Sequence, residues 1–358
     1  MTSRERILKT FEHEKTDRMP WTPLIDGYYL SGLPEKKDVI TALREINADI
    51  IARHINVHKP VAAGNLEITH EEIDGNITER IITPHGELTA KWIRTEISPF
   101  IPFPTEHRLK SIKDLKAYRF YIENREYETF FDTFNEIDRE IGDDGIATPT
   151  APGTPLHYLL MEFGVEEFYY HLNDYPNEIN ELYEVFHEKN KQLCRLIAKS
   201  NADVVINYEN TSTTTMSPAI YERYCQRQLD DYAEIFRAAG KKFLTHMCGT
   251  LNGLKNQLAK GRMDGIIDIA PYPTGDVALH EAKKYWGHDK IVMGGIDATA
   301  FRNYSVLEMK TCITGILNEL NGCTGVFLGT GDAMPQGAKI ENLLEIARMV
   351  KQTPCCKG

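Results

Sequence analysis

Short apolar runs alternate with longer, helix-spaced segments along most of this chain. Residues 145–149, 202–209, 242–248, 265–270, 291–296 and 325–330 read as strands. Between and after them, apolar positions recur at helical spacing over 156–172, 176–200, 218–239, 251–260, 277–285, 306–320 and 340–351. Nearer the start, helices are expected over 3–13 and 39–46, with strands over 19–25 and 48–56. Residues 112–116 and 125–141 also read as helical. Residues 66–94 break the rhythm: polar and apolar positions alternate there, with turns at Asp74-Gly75-Asn76 and Pro84-His85-Gly86. That pattern predicts an antiparallel hairpin or meander, an insertion near residues 66–97.

Eight short, almost wholly apolar strands alternating with helices imply parallel pairing with both sheet faces covered. The expected architecture is α/β, a (β/α)8 TIM barrel forming one domain over residues 1–358, with a doubly wound sheet as the alternative. Composition narrows the partners. The net charge is −11 and no basic run occurs, so nucleic acid and anionic membranes are excluded as expected partners. No apolar run reaches the length of a membrane span, and the polar, helical N-terminus does not read as a signal peptide. The seven cysteines, at 194, 225, 248, 312, 323, 355 and 356, are odd in number and scattered. This points to a reducing cytoplasm and not to a disulfide framework; Cys355 and Cys356 read as an exposed tail.

In a barrel the chemistry sits at the C-terminal strand ends. There the chain places Asp26, Asn207 and Glu209, His246 and Cys248, Asp268, Asp297, and Thr330 with Asp332. Asp26, Asp268 and Asp297 also fit as ordinary turn starters. His246 and Cys248 are two residues apart, so one strand face carries an imidazole and a thiol, donors that suit tetrahedral zinc. Glu209 is expected as the third ligand and Asp332 as a competing third or a fourth. Asn207 and Glu209 share a face in the same way, and with Asp332 they are the candidate catalytic polar groups. Cys323 precedes the last strand and falls at the wrong end. Trp21, Tyr28, Tyr29 and Tyr208 are candidates for an aromatic pocket, or for ordinary packing at the mouth. No dinucleotide fingerprint, phosphate loop or nucleophile elbow occurs.

Several pieces resemble the uroporphyrinogen decarboxylase superfamily: Thr2-Ser-Arg-Glu-Arg-Ile-Leu with Asp17-Arg-Met-Pro20, Ala202-Asp-Val-Val, Ser217-Pro218 into Tyr224, His246-Met-Cys-Gly249, Gly294-Gly-Ile-Asp297 and Gly337 to Leu343. The resemblance implies a (β/α)8 barrel. It also separates two branches. Decarboxylases carry an arginine-rich segment after the first strand, whereas here Ile25-Asp-Gly-Tyr-Tyr-Leu-Ser-Gly32 has no arginine. The zinc-dependent, corrinoid-linked methyltransferases carry His-x-Cys on the fifth strand, as here, and a third Cys after the eighth. This chain has Gly331-Asp332-Ala333 at that third place. Replacing a thiolate by a carboxylate leaves zinc harder and better matched to an ether oxygen.

The resemblance therefore implies transfer of a methyl group from a small methylated, methoxy-aromatic substrate to a corrinoid (cobalamin). No cobalamin-binding segment is present, so the corrinoid is expected on a partner protein. Methyl transfer from a methylcobamide to a coenzyme M-type thiol, and uroporphyrinogen decarboxylation, are the alternatives. A homodimer is compatible with these expectations.

Overall fold

The computed structural model describes residues 1–96, 98–286 and 289–353. Thirteen strands occur among them. In chain order they are β1 (Ile50–Ile55), β2 (His58–Ala62), β3 (Glu67–Ile73), β4 (Asn76–Thr83), β5 (Gly86–Ile93), β6 (Phe103–Glu106), β7 (Arg125–Thr129), β8 (Gly145–Ala151), β9 (Val204–Tyr208), β10 (Lys242–His246), β11 (Gly265–Ile269), β12 (Ile291–Ile296) and β13 (Val326–Thr330). The chain divides into two compact units: Met1–Asn56 with Phe131–Ala151 and Ser200–Gly358, and Val57–Phe130 with Pro152–Lys199.

The first unit holds a seven-stranded parallel sheet in the order β1-β8-β9-β10-β11-β12-β13, curled as in a TIM barrel. The expected first strand, 19–25, is a looser eighth stave. The Thr22 N–H donates to the Leu328 carbonyl at 2.8 Å, and Leu328 N–H to Pro20 at 2.9 Å. On its other side the Asp49 N–H donates to the Trp21 carbonyl at 2.7 Å. Residues 20–22 thus bridge the last strand and the first. Pro20 and Pro23 have no N–H to donate, which keeps this stave from forming a regular ladder.

Even spacing along each strand fills the interior. Ile51, Ile146, Ile206, Leu244, Ile267, Met293 and Phe327 come one from each strand and form a single buried cluster. Ile7 and Phe11 of the first helix (Ser3–Phe11) join it; Phe11 lies 4.7 Å from the Phe327 ring. That helix starts at a capping box: the Thr2 hydroxyl accepts from the Glu5 N–H while the Glu5 carboxylate accepts from the Thr2 N–H. Beside it, the fully buried Asp49 accepts from Arg6 at 2.6 Å, from Arg18 at 2.6 Å and from the Trp21 N–H at 2.8 Å. The Asp17-Arg-Met-Pro20 motif therefore belongs to a structural latch.

The second unit pairs β2 with β7 antiparallel and stacks β3-β4-β5-β6 in one antiparallel sheet. The expected insertion is there, but as four strands; β6 adds to the predicted meander, and residue 97, its predicted end, lies outside the described residues. Residues 125–129, expected helical, form β7, and the helix begins only at Asp132. The expected helix over 156–172 splits into Pro155–Phe163 and Val165–Asp174 because Gly164 takes φ +81°, which no helix accommodates. Arg108 is buried between the carboxylates of Glu79 and Glu162.

No described cysteine forms a disulfide. Cys355 and Cys356 lie outside the described residues. Among the described residues no helix is long and apolar enough to cross a membrane.

Candidate metal centre at the barrel mouth

Strand β10 ends at His246, and the chain turns away through Met247, Cys248 and Gly249. Gly249 is required by close approach: a Cβ there would stand 2.3 Å from the Ser212 Cβ and 2.6 Å from the Thr211 carbonyl oxygen. Leu244 belongs to the interior cluster, so alternation points His246 the same way. A second strand end, that of β13, contributes its own group: Thr330 closes the strand, and Asp332 follows two residues later. The donor atoms of His246, Cys248 and Asp332 all lie within 4.8 Å of one another. His246 Nε2 is 4.0 Å from Asp332 Oδ1. His246 is buried and Asp332 about half exposed, at 49% of its side chain, so the cluster opens to solvent on one side.

Behind the cluster His246 is held from its other nitrogen. Its Nδ1 hydrogen-bonds Asp268 Oδ2 at 2.6 Å. Arg53 Nη1 donates to both Asp268 oxygens, at 2.8 and 2.6 Å. Burial disfavours charge on the His246 ring, but hydrogen bonds to Asp268 and Cys248 and their negative charges outweigh it and raise its pKa to about 10. Burial likewise pushes Asp268 upward, and Arg53 and His246 overcome it to hold the carboxyl at about 2. Asp268, which in sequence fits a turn starter, is therefore the ionised partner of the histidine. It reaches the interior because it sits at a left-handed φ of +61° in a register shift between Ile266 and Ile269.

Nitrogen, sulfur and carboxylate oxygen donors in one cluster, with the imidazole's far nitrogen bonded to a carboxylate, fit zinc. Asp268 holds a proton on Nδ1, so an ion that displaces the Nε2 proton would meet the lone pair on the side of Cys248 and Asp332.

Register puts the other sequence candidates elsewhere. His246 pairs with Tyr208 and Thr245 with Asn207. The inward face of β9 therefore carries Val204, Ile206 and Tyr208, while Asn207 and Glu209 fall on the opposite face. Glu209 is buried there. It accepts from Asn207 Nδ2 at 3.4 Å and lies 3.8 Å from the Cys225 thiol, on a π-type turn over Glu222–Gln226 that interrupts the expected helix 218–239. Asn207 and Glu209 are thus not brought to the three-donor cluster; a one-residue parity difference between β9 and β10 separates them from it.

Of the aromatic candidates, Tyr208 is at the site, its ring 5.4 Å from that of His246. Trp21 has no exposed surface and stacks on Phe301 at 6.3 Å, so the expectation that it touches substrate is corrected to packing. Tyr29 is also buried, and burial raises its hydroxyl pKa. Tyr28 is half-buried; its N–H and that of Tyr29 donate to Asp26, whose own carboxyl is pushed up by burial and further by Asp332. Asp297 joins two loops, accepting from Thr299 beside it and from Thr274 in the loop after β11.

Two residues at the mouth were not anticipated. Arg53 and His54 come from β1, where the register shifts between Ala52 and Ile55 and His54 takes φ +59°. The exposed His54 ring stacks on Tyr208 at 4.1 Å. Crowding at the mouth and the Arg53 charge lower its pKa to about 4, so the ring is neutral near pH 7. The signal was present in Ile50-Ile-Ala-Arg-His-Ile55: two consecutive polar residues interrupt an otherwise apolar strand just before its end.

Fold and donor set together define a TIM-barrel protein with a candidate zinc centre at the strand C-termini. The uroporphyrinogen decarboxylase (URO-D) family description matches residues 91–353, and the chain belongs to that family. Among solved structures it is similar to a methyltransferase from Methanosarcina mazei, with 12% identity, 98% of each chain covered and a TM-score of 0.64. It is also similar to a B12-independent methionine synthase from a Shewanella species in complex with selenomethionine, with 11% identity, 94% of this chain and 98% of that chain covered, and a TM-score of 0.49. At 12% identity the likeness to the Methanosarcina mazei structure shows the fold alone. No curated protein matches the chain in sequence.

Proposed function

We propose that this chain is a zinc-dependent methyltransferase that moves a methyl group from a methoxy-aromatic substrate to the Co(I) corrinoid of a partner protein. The observation that carries this reading is the convergence of His246, Cys248 and Asp332, with the imidazole held from behind by Asp268. These three residues would hold the ion, which when bound supplies Lewis-acid charge to a substrate oxygen. In the transfer, Co(I) provides the electron pair of the new cobalt–carbon bond. The methyl–oxygen bond breaks, and the oxygen keeps its pair and leaves as the phenol after taking a proton.

The chain's own residues prepare that step. Asp268 keeps the His246 proton on Nδ1, and the half-exposed Asp332 leaves one side of the cluster open to substrate and cobalt. Tyr208 and His54 present stacked rings at the mouth, a surface suited to a planar aromatic. Residues 25–32 contain no arginine, which leaves the carboxylates of a porphyrinogen without counter-charges there. The carboxylate at 332 favours an ether oxygen over a thiolate substrate.

The test mixes the zinc-loaded protein with chemically reduced cobalamin and a methoxybenzene under anaerobic conditions. The expected result is the methylcobalamin spectrum with one phenol released per methyl, abolished in His246→Ala. The reading is overturned if no methylcobalamin forms while uroporphyrinogen is consumed, or if the protein instead demethylates methylcobalamin only when a thiol is added.

A further inference from the structure

We propose that Arg53 and Asp268 are positioning residues: their ion pair is a strut across the barrel mouth that sets the His246 ring for metal capture. The inference rests on the zinc reading above. Strands β1 and β11 are not neighbours in the sheet; β8, β9 and β10 lie between them. Arg53 therefore spans the mouth to make its two bonds to Asp268, and its Nη2 lies 3.0 Å from the Met293 sulfur. Both side chains are almost fully buried, at 3% and 1% exposure.

Each end of the strut departs from regular strand geometry. The register shifts between Ala52 and Ile55 in β1 and between Ile266 and Ile269 in β11. Each shift contains a non-glycine residue in the left-handed region, His54 at +59° and Asp268 at +61°. Such conformations persist where the surroundings over-determine them, and they gather at functional sites. The Arg53 Nε also stays buried without a hydrogen-bond partner among the described residues. Two strained bulges, a buried ion pair and an orphaned donor make a poor route to stability, since an apolar pair of similar size commonly stabilises a fold as well or better.

The geometry fits a different task. Asp268 Oδ2 serves both Arg53 and His246 Nδ1, so the guanidinium fixes the carboxylate and the carboxylate fixes the imidazole plane. A metal-bound histidine depends on such a partner for its orientation, and losing one typically weakens metal binding about 10- to 100-fold.

The test measures zinc dissociation constants by competition with a chromophoric chelator, alongside thermal midpoints of the metal-free proteins. The variants are Asp268→Asn, Arg53→Met and the two combined. Each single change removes one partner of the buried pair and lowers the midpoint; the double change removes both and restores much of it. A positioning role predicts zinc binding weakened about 10- to 100-fold in all three, including the refortified double variant. A purely structural role predicts that zinc affinity returns with the thermal midpoint, and that result overturns the proposal, as does wild-type affinity in either single variant. If the wild-type protein takes up no zinc, the metal reading itself falls and the strut proposal with it.

Discussion

Glu209 and Tyr208 are adjacent residues with opposite fates, and strand parity is the reason. The sequence shows that 207 and 209 share a face and that 246 and 248 share a face, but not that the two faces are opposite ones. That depends on the pairing of His246 with Tyr208, which is set across two strands and is invisible to a local pattern. The candidate metal pair, His246 and Cys248, was legible because its two donors lie on one strand end. Asp332 was legible as a competitor because it follows the C-terminal end of the last strand, where a barrel keeps its chemistry. Zinc stoichiometry checks this assignment. Asp332→Ala is expected to lose most of the bound zinc, whereas Glu209→Gln, changed on the far face of the sheet, is expected to keep close to one zinc per chain. Asp332→Cys should retain zinc and yet slow demethylation of a methoxybenzene, since a second thiolate softens the metal.

At the scale of elements, one departure from expectation comes from a partner distant in sequence and another from a single glycine. Residues 125–129 alternate as Arg-Glu-Tyr-Glu-Thr, which suits a strand, but β7 exists because it pairs with β2 more than sixty residues earlier. The helix expected over 156–172 stops at Gly164, because a glycine is tolerated in a helical pattern and does not by itself mark a break.

His58 in β2 gives a pH test for this small sheet. Burial, and then the charge of Arg125, lowers its pKa to about 4 in the folded chain. Between the ordinary value near 6.5 and about 4 the unfolded chain binds a proton that the folded chain does not. Stability should therefore fall as the pH drops through that window. Urea midpoints of His58→Gln should show a shallower decline than wild type over the same range.

The latch at the other end of the barrel is an element-level device as well. Asp49 ties the first helix and the irregular stave to β1 through two arginines and a backbone N–H. Removing it leaves Arg18 without its carboxylate and the Trp21 N–H without its acceptor, while Arg6 keeps Asp17 at 2.7 and 2.8 Å, so Asp49→Ala should cost about 3 kcal/mol in urea unfolding. Its zinc content should match wild type once folded, because the latch lies at the N-terminal strand ends and the candidate metal residues at the C-terminal ones.

For the whole molecule, the barrel was the most legible feature. Fully buried parallel strands are nearly continuous apolar runs, and their alternation with helices leaves few architectures. The irregular first stave was legible for a different reason: its residues are apolar even though its two prolines prevent a regular ladder. What the pattern could not convey was the pair of bulges that turn Arg53, His54 and Asp268 inward, because a left-handed residue leaves no trace in hydrophobic periodicity. The polar residues that end β1 and β11 were on view, but their direction was set by the folded chain.

The central claim is that His246, Cys248 and Asp332 hold one zinc ion. X-ray absorption at the zinc edge tests it most directly. The account predicts one zinc per chain with a single sulfur at about 2.3 Å and nitrogen or oxygen neighbours near 2.0–2.1 Å, the sulfur shell vanishing in Cys248→Ser. A spectrum with two or more sulfurs, or with none in the wild-type protein, contradicts it.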